Sequence, residues 1–303
     1  MSVAVLTDSL SCLPRELAKE HGIGILPINI RFGDKIYRDS VDLSATEAYE
    51  LFAKDPDLFS TSPASPVQYI EAIREAAQSG RDVLCVTVSA KLSTVNNVAS
   101  LAGEQVSAEF PGIKVKVLDS ETVLAAQGFV ALEAAREAAL GRNLDEVVRR
   151  ARNVKSQASF TLVLETVRNV YRTGRVPKVA VQAASILPVK AILTVSGGVV
   201  RPQGVARNMR QGIDHVLNKM RCKVGDSPVH VAVMHAYSPE EGKKLKERIA
   251  SEFNCAELWV TEVSPVVGYA LGAGALGFAY YADVDVPRQG CVDSGRAQGL
   301  SPQ

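Results

Sequence analysis

Apolar and polar positions alternate between two spacings along the first half of the chain. Short, nearly solid apolar runs at residues 2–6, 24–30, 82–88 and 113–118 have the length and β-branched content of buried strands. Between them, residues 14–20, 45–53, 66–77 and 95–110 place apolar side chains at helical spacing, as does an alanine-rich stretch at 122–140 closed by Gly141. Such alternation predicts a mainly parallel sheet covered by helices. Residues 144–155 read as a basic helix leading out of this unit, with Arg149, Arg150 and Arg152 on a solvated face.

The second half has another rhythm. Strand-like runs at 159–164, 189–195, 199–201, 229–235 and 255–263 sit among helical patterns near 165–172, 205–220 and 239–252. Ser196-Gly197-Gly198, between two of those runs, predicts a hairpin and hence antiparallel pairing. The expected fold class is α/β. An N-terminal, mainly parallel sheet domain with flanking helices occupies 1–157, a C-terminal α+β domain with a mixed or antiparallel sheet occupies 158–282, and a flexible tail covers 283–303. Residues 263–282 carry no charge and could span a bilayer by length. Pro265 and four glycines interrupt them, so a segment buried against a core or cavity is expected instead.

Charge and cysteine usage narrow the function. The 34 basic and 33 acidic residues cancel, so no global field draws the chain to nucleic acid or an anionic membrane. The five cysteines are scattered without a C-x-x-C pair; Cys85 and Cys255 read as small buried hydrophobes. The N-terminus lacks a basic region and meets Asp8 early, unlike a signal peptide, which together with the cysteines suits a cytoplasmic protein.

Candidate chemistry concentrates in two hydroxyl-rich segments, Thr61-Ser62-Pro63-Ala64-Ser65 and Ser89-Ala90-Lys91-Leu92-Ser93-Thr94, each just before a predicted helix. Hydroxyls beside unpaired N–H groups at a helix start attract a small anion without a metal. Ser65, with Pro66 next and Gln68 three residues on, matches a capping box, and Asp8 and Asp119 read as loop braces. One cap per helix suffices, so Thr61, Ser62 and Ser93 remain candidates for a ligand. Gly272-Ala273-Gly274-Ala275-Leu276-Gly277 fits G-x-G-x-x-G, but too little chain follows for a dinucleotide-binding unit. There is no G-x-S-x-G elbow, and His230 and His235, five apart in a strand, fall on opposite faces. No metal-ligand spacing occurs. These residues suit a binder of an acidic head on a greasy ligand; a serine-dependent acyl hydrolase or transferase using Ser93 as nucleophile is the alternative.

At these positions the chain resembles the DegV family of bacterial fatty-acid-binding proteins. The likeness runs through Leu6-Thr7-Asp8-Ser9, Leu26-Pro27-Ile28, Tyr37-Arg38-Asp39-Ser40-Val41-Asp42-Leu43, Thr61-Ser62-x-x-Ser65 and Ser89-x-x-Leu92-Ser93. It continues through Leu118-Asp119-Ser120, Gln127-Gly128, Gly174-Arg175-Val176 and Gly272-x-Gly274-Ala275-Leu276-Gly277. The resemblance implies a lipid-carrying subunit of fatty acid kinase, active in phospholipid metabolism. An acyl chain would lie between two domains, with its carboxylate held around Thr61, Ser62, Ser93 and Thr94. A separate ATP-binding kinase subunit would make the acyl phosphate, so the chain itself would be no enzyme and need no cofactor. Ala270, Gly272 and Gly274 would lie near the head group or tunnel, and Arg175 and Arg207 would face the partner. Three departures stand out. Proline sits at Pro63 rather than one place later, Thr94-Val95-Asn96-Asn97 replaces G-T-Y-Q, and Ala270 replaces the histidine of H-x-G-P-G. That last change leaves room for a different apolar anion.

Overall fold

The computed structural model describes residues 3–78, 80–167, 170, 174–175 and 189–282. The first sheet has four parallel strands, β1 (Val3–Asp8), β2 (Ile23–Leu26), β6 (Asp82–Thr87) and β7 (Val115–Asp119), in the order β2-β1-β6-β7. β1 and β6 are buried almost throughout because helices cover both faces of the sheet, which is why they read as solid apolar runs. Helices α3 (Pro66–Gln78) and α4 (Val95–Glu109) pack side by side on one face. On the other lies α5 (Ala125–Ala139), braced by α6 (Leu144–Gln157). Two further α-helices lie earlier in the chain among the described residues, α1 (Arg15–Glu20) and α2 (Ala45–Lys54).

The second sheet has six strands. β8 (Ser159–Val163), β9 (Lys190–Ser196), β10 (Val199–Ala206), β11 (Val229–His235), β12 (Cys255–Glu262) and β13 (Leu276–Tyr281) are ordered β10-β9-β8-β13-β11-β12. All neighbours are antiparallel except β11 and β12. α7 (Met209–Val224) and α8 (Pro239–Glu252) cover its outer face through a separate apolar cluster around Leu217, Met220, Ile249 and Phe278. The inner face meets α5, which therefore lies between the two sheets and is buried along most of its length, as its alanine-rich sequence allows, with its charges Glu133, Arg136 and Glu137 gathered toward its C-terminal end. α9 (Pro265–Leu271) precedes β13.

The expected α/β class with one parallel and one mixed sheet is what the chain forms, and several details differ. The run at 24–30 is two strands, because Pro27 cannot donate to a ladder: β2 stays in the first sheet, and Asn29–Phe32 (β3) opens a three-stranded antiparallel sheet. Lys35–Arg38 (β4) and Phe59–Ser62 (β5) complete that sheet in the order β4-β3-β5, so Thr61 and Ser62 stand on a strand rather than in a loop. β10 runs five residues beyond its predicted end through an irregularity between Pro202 and Gly204. α7 starts only after the Asn208 cap, whose side chain accepts the Gln211 N–H. Of the helix expected near 165–172, residues 165–167 are not helical, and 168, 169, 171 and 172 lie outside the described residues, as do the expected tail at 283–303 and Cys291. Arg150 is not on the solvated face: its Nε donates to the buried Glu133 carboxylate at 3.0 Å. The uncharged stretch at 263–282 is α9, a turn and β13, largely buried, and no helix among the described residues is long and apolar enough to cross a membrane.

Candidate functional site

Strand direction decides where the two hydroxyl-rich segments go. α4 joins parallel strands β6 and β7, and α3 ends just before β6 begins, so both helices run against the strands and start at the carboxyl edge of the sheet. Ligands of open α/β sheets bind at that edge. Because α3 and α4 pack against each other, Ser62–Ser65 and Ser93–Thr94 enter the same end of the molecule.

Each residue there has a distinct setting. Ser65 is the expected cap: its Oγ accepts the Gln68 N–H at 3.3 Å, and Gln68 Oε1 accepts the Ser65 N–H at 2.8 Å. Thr61 is half-buried and paired with Ile30, so its side chain shares a face with fully buried Ile30, while Ser62 points the other way and is exposed. Phe59, two residues back on Thr61's face, packs its ring 5.4 Å from Tyr269 of α9. That contact brings the helix carrying half-buried Ala270 to the same neighbourhood. Gly272 and Gly274, both at positive φ, form the turn from α9 into β13, and Gly274 donates to the Ala236 carbonyl at 2.8 Å.

The second segment is a tight turn. Ser93 is half-buried, its N–H donates to the Ser89 carbonyl at 3.1 Å, and its Oγ accepts the Val95 N–H only at 3.4 Å. Thr94 occupies the N-cap position of α4 without capping it. The first N–H groups of this 15-residue helix are therefore weakly served from within, an arrangement favourable to an anion. Beneath the turn, Asp8 accepts the Val88 N–H at 2.8 Å and the Leu10 N–H at 3.1 Å. Burial pushes the Asp8 carboxyl up to about 6, against the lowering pull of Val88, Gln127 and Leu10. Asp119 likewise braces the loops, accepting from Ala90 and Glu121.

Arg175, exposed, donates from Nε to the Leu92 carbonyl at 3.4 Å, which sets it beside Ser93. Arg207 is not brought there. It follows the far end of β10, an eight-residue strand that spans roughly 25 Å from the hairpin tip. Neither histidine of β11 faces Ser93 as a base: His230 Nδ1 lies 2.7 Å from Glu257 with its ring stacked on Tyr281, and His235 Nδ1 takes the Ser238 N–H from the other face. Among the described residues no group of three His, Cys, Asp or Glu could hold a metal ion.

Sequence reasoning missed a second polar feature, a cleft of about 510 Å³ lined by Ser9, Arg15, Asp39, Glu262 and Ser264 among others. Burial raises the Asp39 carboxyl, whose Oδ2 accepts from Ser264 Oγ at 2.7 Å. The two residues are 225 positions apart, so no local pattern marks the pair.

A DegV domain-containing protein of Streptomyces coelicolor is 29% identical over 277 residues, covering 91% of this chain and 96% of that protein. Two solved structures share the fold, each with 26% identity and a TM-score of 0.84 over 93% of this chain. One is described as fatty acid binding of a DegV family protein from Thermus thermophilus, covered completely. The other is DegV, a fatty acid binding protein from Bacillus subtilis, covered to 99%. The family profile described as "Uncharacterised protein, DegV family" matches residues 2–283, and the chain belongs to that family.

Proposed function

We propose that the chain binds a long-chain fatty acid in a tunnel between its two domains and holds the carboxylate with Thr61, Ser62, Ser93 and Thr94. It then presents that carboxylate to a separate fatty acid kinase subunit, which uses ATP to form the acyl phosphate. In this reading the protein is a cytoplasmic carrier, not a catalyst, and it works as two units divided near residue 157. One observation carries it: two segments rich in hydroxyls, one of them at a weakly capped helix start, converge on one end of a fold shared with structures described as fatty-acid-binding.

The energetics divide between tail and head. Burying the ~14 methylenes of a C16 acid at about 0.8 kcal/mol each gives roughly 11 kcal/mol of gross driving force, part of it offset by ordering. Hydroxyls and helix N–H groups keep the carboxylate from being buried unpaired and orient it. Arg175, beside the turn, belongs to the rim a partner would meet, and Arg207 to a more distant part of the partner surface. Ala270 leaves the head group without the histidine expected of the family, so the hydroxyls carry more of its recognition.

Lipid extraction and native mass spectrometry of the purified chain test this directly. A copurifying long-chain acid, and a melting temperature raised by added palmitate, are expected. Thr61→Ala and Ser93→Ala should each weaken palmitate binding by about tenfold, the loss of one hydrogen bond to a charged group. The reading fails if no acid copurifies and palmitate leaves the melting temperature unchanged. An isoprenoid or branched acid found in its place would assign the pocket to another apolar anion.

A further inference from the structure

We infer that Ser89 is a positioning residue for the carboxylate site, fixing the Ser93 hydroxyl in place through the tip of the β9–β10 hairpin. The inference rests on the fatty-acid reading above and adds to it a dependence of the head-group site on the second sheet.

Every polar group of Ser89 is used, and Ser89 is fully buried. Its N–H donates to the Thr122 carbonyl at 2.9 Å, and its carbonyl accepts the Leu92 and Ser93 N–H groups at 2.9 and 3.1 Å. Its Oγ accepts the Lys91 N–H at 3.2 Å and donates its one proton to the Gly198 carbonyl at 2.8 Å. Ser89 therefore both shapes the turn that presents Ser93 and ties that turn to a chain segment 109 residues away. Lys91 doubles the tie, donating from Nζ to the Gly197 carbonyl at 2.8 Å.

The hairpin tip is fitted to this contact. Gly198 sits at φ +81, and a Cβ there would come within 2.7 Å of Ser89 Oγ and 3.3 Å of Lys91 Cδ. A side chain would force the tip off the turn. With the tip in place, the turn bearing Ser93 cannot shift without breaking two bonds to the second sheet. The distance from Ser93 to Thr61 is thus set partly by how the two sheets sit against each other.

The test uses the full chain with palmitate and hexadecanol, which share a tail and differ in the head. Ser89→Ala should weaken palmitate binding about fivefold and leave hexadecanol binding unchanged. It should also move the carboxyl resonance of bound palmitate labelled there with carbon-13. In a Ser93→Ala background, Ser89→Ala should cost no further affinity, because the residue it positions is gone. The inference is overturned if Ser89→Ala leaves palmitate affinity and resonance as they were. It is equally overturned if both ligands weaken alike and the loss adds to that of Ser93→Ala, the behaviour of a merely structural residue. If Ser89→Ala does not fold, Lys91→Ala decides. A loss of about twofold for palmitate alone supports the tie, and no change refutes it. Should Ser93→Ala by itself leave palmitate binding intact, the underlying carboxylate assignment fails instead, which separates the two failures.

Discussion

The two sheets are joined at both ends of their shared interface, by different chemistry. Near the candidate site the tie is neutral or single-charged, with Ser89 and Lys91 each donating to a carbonyl at the hairpin tip. At the far end it is a network of charges. Glu257 on β12 takes Arg136 of α5 through both oxygens at 2.7 and 3.1 Å and holds His230, Arg136 also meets Glu133, and Glu133 pairs with Arg150 of α6. Burial raises the carboxyls of Glu133 and Glu257, yet hydrogen bonds from their basic partners outweigh it and hold both below the usual range, Glu257 at about 2. Breaking a buried charged pair leaves a charge unpaired, whereas losing a hydrogen bond to a carbonyl costs far less. The far end therefore fixes how the sheets pack, while the near end can be adjusted without unfolding the molecule.

The largest expected effect is at the far end. Glu133→Ala, at a carboxylate 7% exposed, should cost about 3 kcal/mol in urea unfolding by removing the carboxylate that Arg150 and Arg136 share. A loss below 1 kcal/mol would remove the contrast between the ends. Next comes pH. The Asp8 carboxyl rises from 3.8 to about 6 on folding, so the native state keeps a proton that the unfolded chain releases between those values. Relative to Asp8→Asn, the wild type should therefore lose on the order of 2–3 kcal/mol as pH climbs from about 4 to about 6. Glu257 has the opposite sign: its folded value of about 2 lies below the ordinary 4.5, so its contribution is complete above 4.5 and fades as pH falls toward 2. Unfolding midpoints of Asp8→Asn and Glu257→Gln across pH 3 to 7 would resolve the two trends, and parallel curves would contradict the comparison. Ser65→Ala removes half of the α3 capping box and should cost about 1 kcal/mol in thermal unfolding. The smallest change is Lys91→Ala, an exposed near-end bond, which should stay within about 0.5 kcal/mol in stability.

How much of this was readable depended on whether the cause was local. β6 and β11 were legible because an apolar run bounded by polar residues marks a buried strand by itself, and 229–235 matches its element end to end. The α3 start was legible because Ser65, Pro66 and Gln68 form a cap within four residues. β4 was not: three of its four side chains are exposed, so nothing in its pattern distinguishes a strand from a loop. β13 hid in an uncharged, glycine-punctuated stretch where period-two alternation is absent because both faces are buried. At the site, the hydroxyl-bearing segments could be read, but their convergence follows from the packing of α3 on α4. The role of Ser89 depends on Gly198, and Arg150 turns inward to Glu133 on the neighbouring helix, 17 positions earlier.

β13 lies between β8 and β11 and pairs with both, yet a ribosome makes it last of the six strands. Synthesis therefore delivers two partial sheets, β8–β9–β10 and β11–β12, each with an open rim, before the strand that welds them exists. Such rims are templates for wrong partners. A nascent chain arrested before residue 276 should hold chaperones that a chain extended far enough to free β13 from the exit tunnel releases.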